Sequence, residues 1–431
     1  MRHDALHLWY LADPATPRCV GRLRLVDAGK GVSLQYGAQW LTSGFPLSED
    51  LPLIDIEHLP RWKGLAAGAV DDARPDRWGE RVIQYLDKPA RLSLMEYLFY
   101  AGDDRFGALG VSTSTEAYLP RSQGPLPRLA QAQQLSEVVR KVSDREPVNE
   151  VERRLLTAGG SFGGAKPKAL IDIAGAQWLI KFFNNEAIDV PLVEHAAMTL
   201  ARLAGIKVAE TRVLALVGEH ALAVRRYDRD GARRIHCISA GTALRAQTIA
   251  GQEPELGYPG LAQLLRRVGV ADDDQNLRDM QELFRRMVFN ILIDNTDDHE
   301  KNHALLVLAP TRQGKYRLAP AYDVLPTNSG QGCQEFIVGT AQRDSTLANA
   351  MSQCELFGYT PAQAAAEVVR VIQVVDGWRQ HFAACGITQA DLDSLAERID
   401  GDALLGQRRG FNPGDYAAAV RKPRRRGPFS G

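Results

Sequence analysis

The hydrophobic period changes once along this chain, and that change limits the folds open to it more than any other feature. In the first part, apolar residues come in short runs of β type, LHLWYL, VGRLRLV and VSLQYG, separated by the turn-rich stretches ADPATP and DAGKG. Beyond about residue 260 they recur at helical spacing. In QNLRDMQELFRRMVFNILI, Leu277, Met280, Leu283, Phe284, Met287, Val288 and Ile291 share one face, and the pattern breaks at Asp294-Asn295. A further helix opens with Thr360 as N-cap and Pro361 at its first position, and Thr388 opens another. An α+β architecture follows, β-rich first and mostly helical later. At 431 residues the chain exceeds one compact core, so two or three folding units are expected.

Between these parts lies a mixed segment. ALIDI and QWLIKFF, separated by an Ala-Gly pair, read as a hairpin. VPLVEHAAMTLARLAGI is a helical stripe that Gly205 stops. RVLALV and ALAVRRY form a second strand pair. The stretch EAYLPRSQGPLP, with three prolines and no period, reads as a linker. The expected units are therefore 1–125, 126–227 and 228–431. Lys+Arg and Asp+Glu balance at 52 each, so no global field recruits nucleic acid or an anionic membrane. No apolar run approaches the roughly 20 residues that span a bilayer, and MRHDALHLWYLAD has no signal-peptide pattern. The five cysteines form no C-x-x-C pair, which argues against a zinc ribbon or disulfide framework and fits a reducing, cytoplasmic setting.

The stretch NTDDHEKNHALL admits two chemistries. His299-Glu300-Lys301-Asn302-His303 spells H-E-x-x-H, a zinc-peptidase signature. That chemistry needs both histidines on one face of an apolar helix, yet the intervening residues are Lys301 and Asn302 and the flanks have loop composition. A third ligand is missing at the metzincin spacing, where Ala309 stands, although Asp323 is available. Phosphoryl transfer instead needs a carboxylate to take the acceptor proton, then an Asn and a second Asp to hold Mg²⁺ against the phosphates. Asp297, Asn302 five residues on, and Asp323 after a hairpin-like stretch meet that need, and His299 adds to the pattern. Asp and Asn also crowd into ordinary turns, so the loop alone leaves phosphoryl transfer and a plain turn both open.

Upstream residues decide between them. GGSFGGAKPK is a glycine-rich turn that would let backbone N–H groups approach a polyphosphate, though it is not a Walker A loop. Lys181, inside the apolar strand QWLIKFF, is costly unless paired, and Glu194 in the following helix is its natural partner. Glycine turn, lysine, helix glutamate, the strand end Arg225-Arg226-Tyr227, the Asp/Asn loop and a late Asp follow one another in kinase order.

These residues resemble the HipA family, the kinase halves of bacterial toxin–antitoxin modules. SFGGAKPKAL, WLIKF, VEHAAMTLARLAGI, ALAVRRYDRDGARRIH, NILIDNTDDHEKNHALL and YRLAPAYDVLP carry the likeness, with GFPLSEDLPL and FGALGVS in the first unit. The resemblance implies a two-lobed protein-kinase-like core after an N-terminal β-rich domain, acting on Ser/Thr with ATP and Mg²⁺. It implies Asp297 as catalytic base, Asn302 and Asp323 on Mg²⁺, and His299 near the ATP phosphates. The turn carrying Gly163, Gly164 and Lys168 would cover the phosphates, Lys181 would bind them, and Arg225 to Tyr227 would hold the adenine. Ser161 matches the serine that family members autophosphorylate. Implied partners are a helix-turn-helix antitoxin, operator DNA only through that antitoxin, and a protein substrate such as an aminoacyl-tRNA synthetase. Asp298 stands where some relatives have a small residue, so choosing Asp297 over Asp298 rests on the spacing to Asn302. The basic run RKPRRRGPFSG at the end reads as a solvated tail, with contact to operator DNA or antitoxin as the other reading.

Overall fold

The computed structural model describes residues 3–121, 124–157, 166–183, 186–249, 251–309, 315–327 and 331–417. Its first sheet holds β1 (Ala5–Tyr10), β2 (Arg18–Val26), β3 (Gly31–Tyr36), β4 (Glu57–His58) and β5 (Leu109–Ser112), all antiparallel, in the order β4-β3-β2-β1-β5. The three quoted β-type runs are β1 to β3, and β5 is the strand after the turn in GDDRFGALGVS. Alternation buries Leu6, Leu8 and Tyr10 of β1 with Leu34 and Tyr36 of β3. The part between β4 and β5 departs from the β-rich expectation, since Arg77–Val82 and Leu94–Tyr100 are helices. Asp76 starts the first of them, its carboxylate accepting the Gly79 N–H at 2.6 Å.

A second antiparallel sheet is built from β6 (Lys168–Ile173), β7 (Ala176–Lys181), β8 (Thr211–Ala215) and β9 (His220–Arg225), ordered β6-β7-β9-β8. Ala174 (φ 54°) and Gly175 (φ 81°) both take left-handed conformations, as a two-residue hairpin turn that matches strand twist requires. Both faces of this sheet are covered, which is why β6 is buried almost throughout. Ala169, Ile171, Trp178, Ile180, Ala221 and Ala223 pack on helix Ala132–Asp144 and on Trp78 and Val82 of the first unit. Leu222 and Val224 face the other way, into the cluster that holds helix Val190–Leu203. That helix starts at Asp189, which caps the Leu192 N–H at 3.2 Å, and stops before Gly205 at φ 80°.

The later part is helical as its period requires. Gln275–Leu292 runs through the centre, packed by Tyr258–Val268 and by Pro361–Val375, whose Thr360 and Gln363 form a reciprocal capping box. A small antiparallel sheet of His236–Ser239, Ala304–Ala309 and Lys315–Leu318 flanks the central helix. Before Tyr258 the chain needs a glycine: a Cβ on Gly257 would lie 2.5 Å from that of Ile337. One buried apolar cluster continues from the first sheet through helix Val190–Leu203 into the helical part. Among the described residues no helix is long and apolar enough to cross a membrane.

Candidate active site

Register decides where the charged residues of the second sheet point. Lys181 pairs with Lys168 on β6 and Leu222 on β9, and directly opposed residues share a face. Both lysines therefore leave the sheet on the side of Leu222 and Val224, while Ile180 points into the opposite core. Lys181 is 8% exposed and Glu194 fully buried. The ammonium donates to Glu194 Oε1 at 2.6 Å and to Asp323 Oδ1 at 2.5 Å. Burial pulls the Lys181 pKa down, but Asp323 and Glu194 outweigh it and the group is held above its ordinary value. Burial pushes Glu194 up to about 7 against the pull of Lys181. For Asp323 the desolvation is overcome by Lys181, and its carboxyl lies below the usual range. Asp323 holds this position at φ 58°, a left-handed backbone that non-glycine residues adopt at a cost.

The stretch after the central helix is a turn and not a helix. His299 and His303 are therefore not one helical turn apart on a common face, and the zinc reading fails on geometry. His303 is buried, with its Nε2 against the Asp298 carboxylate at 3.1 Å and its ring stacked on Phe336. Among the described residues no three His, Cys, Asp or Glu side chains converge to hold a metal. The turn also separates the two adjacent aspartates. Asp297 is exposed, whereas Asp298 is 2% exposed and bonded to Tyr258 and His303. Desolvation raises the Asp297 pKa, His299 opposes this and Asp323 adds to it, so all three groups lie within electrostatic reach. Asn302 is tied into the same turn, its Nδ2 donating to Asp297 O at 3.1 Å and its N–H to His299 O at 2.9 Å.

Between sheet and turn runs an open cleft of about 1060 Å³, its mouth included. Lys181, His299, Asn302 and Asp323 line it, as do Arg225, Arg226 and Tyr227. Leu179, Val224, Phe106, Tyr227 and Tyr322 make one end apolar, with the Tyr227 and Tyr322 rings stacked at 5.3 Å. The Tyr322 hydroxyl donates to Lys301 O at 2.6 Å, joining that end to the turn. Arg225 itself is exposed and pairs with Glu210 at 3.2 Å. Arg226 turns inward to Asp228, and Asp228 also accepts from Arg229 and from the Gly107 N–H. Burial works against the Asp228 charge, but the two guanidiniums hold its pKa at about 2.

The first unit supplies a wall that sequence reading missed. Asp71, Asp72, Arg74, Pro75, Asp76 and Phe106 all line the cleft, and no spacing in the sequence announces them. Lys168 does not line it: its ammonium faces Asp76 Oδ2 at 3.2 Å, and its carbonyl accepts the Trp78 indole N–H at 2.8 Å. Burial pushes Asp76 up to about 6 and pulls Lys168 down, the same cause acting on both. Ser161, Gly163, Gly164 and the basic tail lie outside the described residues.

A covered four-stranded sheet with a buried Lys–Glu pair, facing across a cleft a turn that lends it His299 and Asn302, with Asp297 beside them outside the lining, defines a kinase-like protein of mixed α/β fold. The family model described as HipA-like C-terminal domain matches residues 160–378, and that of the HipA N-terminal domain matches 15–112. The chain belongs to the HipA family. A protein of Sinorhizobium fredii named "Putative kinase Y4dM" is 33% identical over 167 residues, which cover 36% of this chain and 38% of that relative's length. The solved structure of the HipA, HipB and operator DNA complex from Shewanella oneidensis MR-1 includes a chain with the same fold. It has a TM-score of 0.65 at 18% identity and covers 94% of this chain and 97% of that one.

Proposed function

We propose that this chain is the kinase half of a toxin–antitoxin module, transferring the γ-phosphoryl group of ATP to a Ser or Thr of a protein with Mg²⁺ present. The observation that carries the reading is Lys181, held at once by Glu194 and Asp323 on a cleft that Asn302 and His299 also line. The apolar end suits a purine, and the strand end Arg225 to Tyr227 would hold it through backbone groups. The end at Lys181 suits phosphates, with that ammonium as the neutralising group once Asp323 turns to Mg²⁺, and Lys168, behind it, shaping the local field. Asn302 and Asp323 fit Mg²⁺, because they offer hard oxygen donors and leave most coordination positions to water and phosphate, as that ion demands. When bound, the ion neutralises charge on the phosphates.

The protein's own work is positioning and proton handling. Asp297 orients the acceptor hydroxyl and takes its proton, and its raised pKa brings it nearer the range where a base both accepts and releases. Asp298 is spent on its buried partners and is not the base. We also propose that residues 1–125 form an accessory domain, 126–227 the small lobe and 228–431 the large lobe of a kinase-like core. The Shewanella relative was solved with HipB and operator DNA, which supports a helix-turn-helix antitoxin as partner and DNA contact through it. An aminoacyl-tRNA synthetase is the substrate class that the family likeness suggests.

The test is incubation with γ-labelled ATP and Mg²⁺, alone and with cell extract. Wild type should label itself at Ser161 and label a protein in the extract, and Asp297→Asn should do neither. A phosphopeptide map unchanged in Ser161→Ala would refute the self-modification site, and label persisting in Asp297→Asn would refute the base.

A further inference from the structure

The phosphotransfer reading uses Asp297 and Asn302 and leaves their neighbours, Asp298 and His303, without a task. Both are buried, at 2% and 3% exposure, where an ionisable group is costly unless a partner holds it. They are each other's partner. The His303 Nε2 lies 3.1 and 3.2 Å from the two Asp298 oxygens, so one ring N–H is shared across the carboxylate. The Tyr258 hydroxyl donates to Asp298 Oδ2 from the other side. Tyr258 in turn accepts from Asn290 Nδ2 at 3.1 Å, and Asn290 Oδ1 accepts from Asn295 Nδ2 at 3.1 Å. The chain of bonds thus starts in the last turns of the central helix, crosses to the first residue of helix Tyr258–Val268, and ends inside the turn. Among the described residues His303 Nδ1 has no partner, and its ring is packed against Tyr258 and Phe336. A ring so placed, with one nitrogen left bare, is oriented by the single bond it makes to Asp298.

We propose that Asp298, His303 and Tyr258 are positioning residues that clamp the turn, and so fix Asp297 and Asn302 relative to each other. Asp298 follows Asp297 and His303 follows Asn302, so the buried pair and the working pair are the same rung displaced by one residue. Closing one sets the span of the other, and the Asn302 Nδ2 bond to Asp297 O reports that span. The backbone is held beyond the rung as well, with His303 O accepting the Ala240 N–H at 2.8 Å and Thr296 O the Glu335 N–H at 3.1 Å. The second histidine of the zinc-like string is thereby a strut.

This inference rests on the kinase reading for its kinetic consequence and on geometry alone for its mechanical one, so it is tested in both. In the labelled-ATP assay, His303→Phe and Asp298→Ala should each lower kcat about tenfold or more, with KM for ATP within about twofold. The double variant should be no slower than the slower single one, since residues of one network act as a unit. His303→Gln, which keeps a donor, should recover most of kcat. A wild-type kcat in His303→Phe, or a change in KM alone, would overturn the clamp. Hydrogen exchange of the nucleotide-free protein gives the second arm. In His303→Phe the backbone amides of 297–302 should exchange about tenfold faster while the Gln275–Leu292 helix keeps its protection. Equal exchange in the turn would overturn the proposal whether or not the variant is active. A wild type that transfers no phosphate would sink the kinase reading, and the exchange measurement would still judge the clamp.

Discussion

The two walls of the cleft are stabilised in opposite ways. On the sheet wall, the groups facing the cleft are themselves the ties: Lys181 bridges Glu194 and Asp323, and Asp228 gathers Arg226, Arg229 and the Gly107 amide. On the turn side, the ties are apart from the proposed base: Asp297 is exposed, while Asp298, His303, Tyr258, Asn290 and Asn295 are buried. On the proposed function, activity and stability are thus fused on one side and divided on the other. A buried charge cannot be removed without stranding its partner, whereas an exposed carboxylate can.

The largest effect expected from this contrast is that of Lys181→Met. It leaves Glu194 and Asp323 without their shared cation, so it should abolish phosphoryl transfer and also destabilise the protein by about 3–5 kcal/mol, as read from urea unfolding beside the labelled-ATP assay. A variant of wild-type stability would break the contrast. Asp297→Asn should be its mirror image: a loss of about 10²–10⁴ in kcat with unfolding free energy within about 0.5 kcal/mol of wild type.

Next comes Asp228→Asn. The folded pKa of Asp228, about 2, lies below its unfolded value, so its pairing stabilises the fold above the ordinary Asp range and that stability is lost as pH falls toward 2. The variant should be about 2–3 kcal/mol less stable at neutral pH. The gap to wild type should close as pH falls from about 4 to about 2, measured by denaturant unfolding at each pH. A gap independent of pH would show that the network is held by shape and not by charge. The smallest effect is that of Arg225→Ala, whose side chain among the described residues makes an exposed pair with Glu210. Stability should change by less than about 1 kcal/mol and KM for ATP hardly at all, because the strand end would act through its backbone. A large rise in KM would transfer that role to the guanidinium.

How much of this was legible beforehand follows the same division. Lys181 and Glu194 could be paired from the sequence because a lysine in an apolar strand demands a counter-ion, and a demand is a signal. The Asp297/Asn302 offset was legible too, as were the hairpin at Ala174-Gly175 and the caps at Thr360 and Thr388, all local features. Asp76, Asp72 and Phe106 were not, since packing of the first unit alone carries them to the cleft, and the helices between β4 and β5 went unread with them. Lys168 was expected on the phosphates and faces Asp76 instead, because strand register and not motif position set its direction. His303 was the most misleading, for H-E-x-x-H has meaning only on a helix, and the helical period had already ended at Asp294.

The Lys181–Asp323 contact has a consequence for how the cleft takes up a ligand. In the empty protein the Lys181 ammonium is shared by the Asp323 and Glu194 carboxylates, so a cation drawn to Asp323 would leave Lys181 still paired with Glu194. On the proposed function, Glu194 is therefore the group that keeps the ammonium in place while Asp323 changes partners.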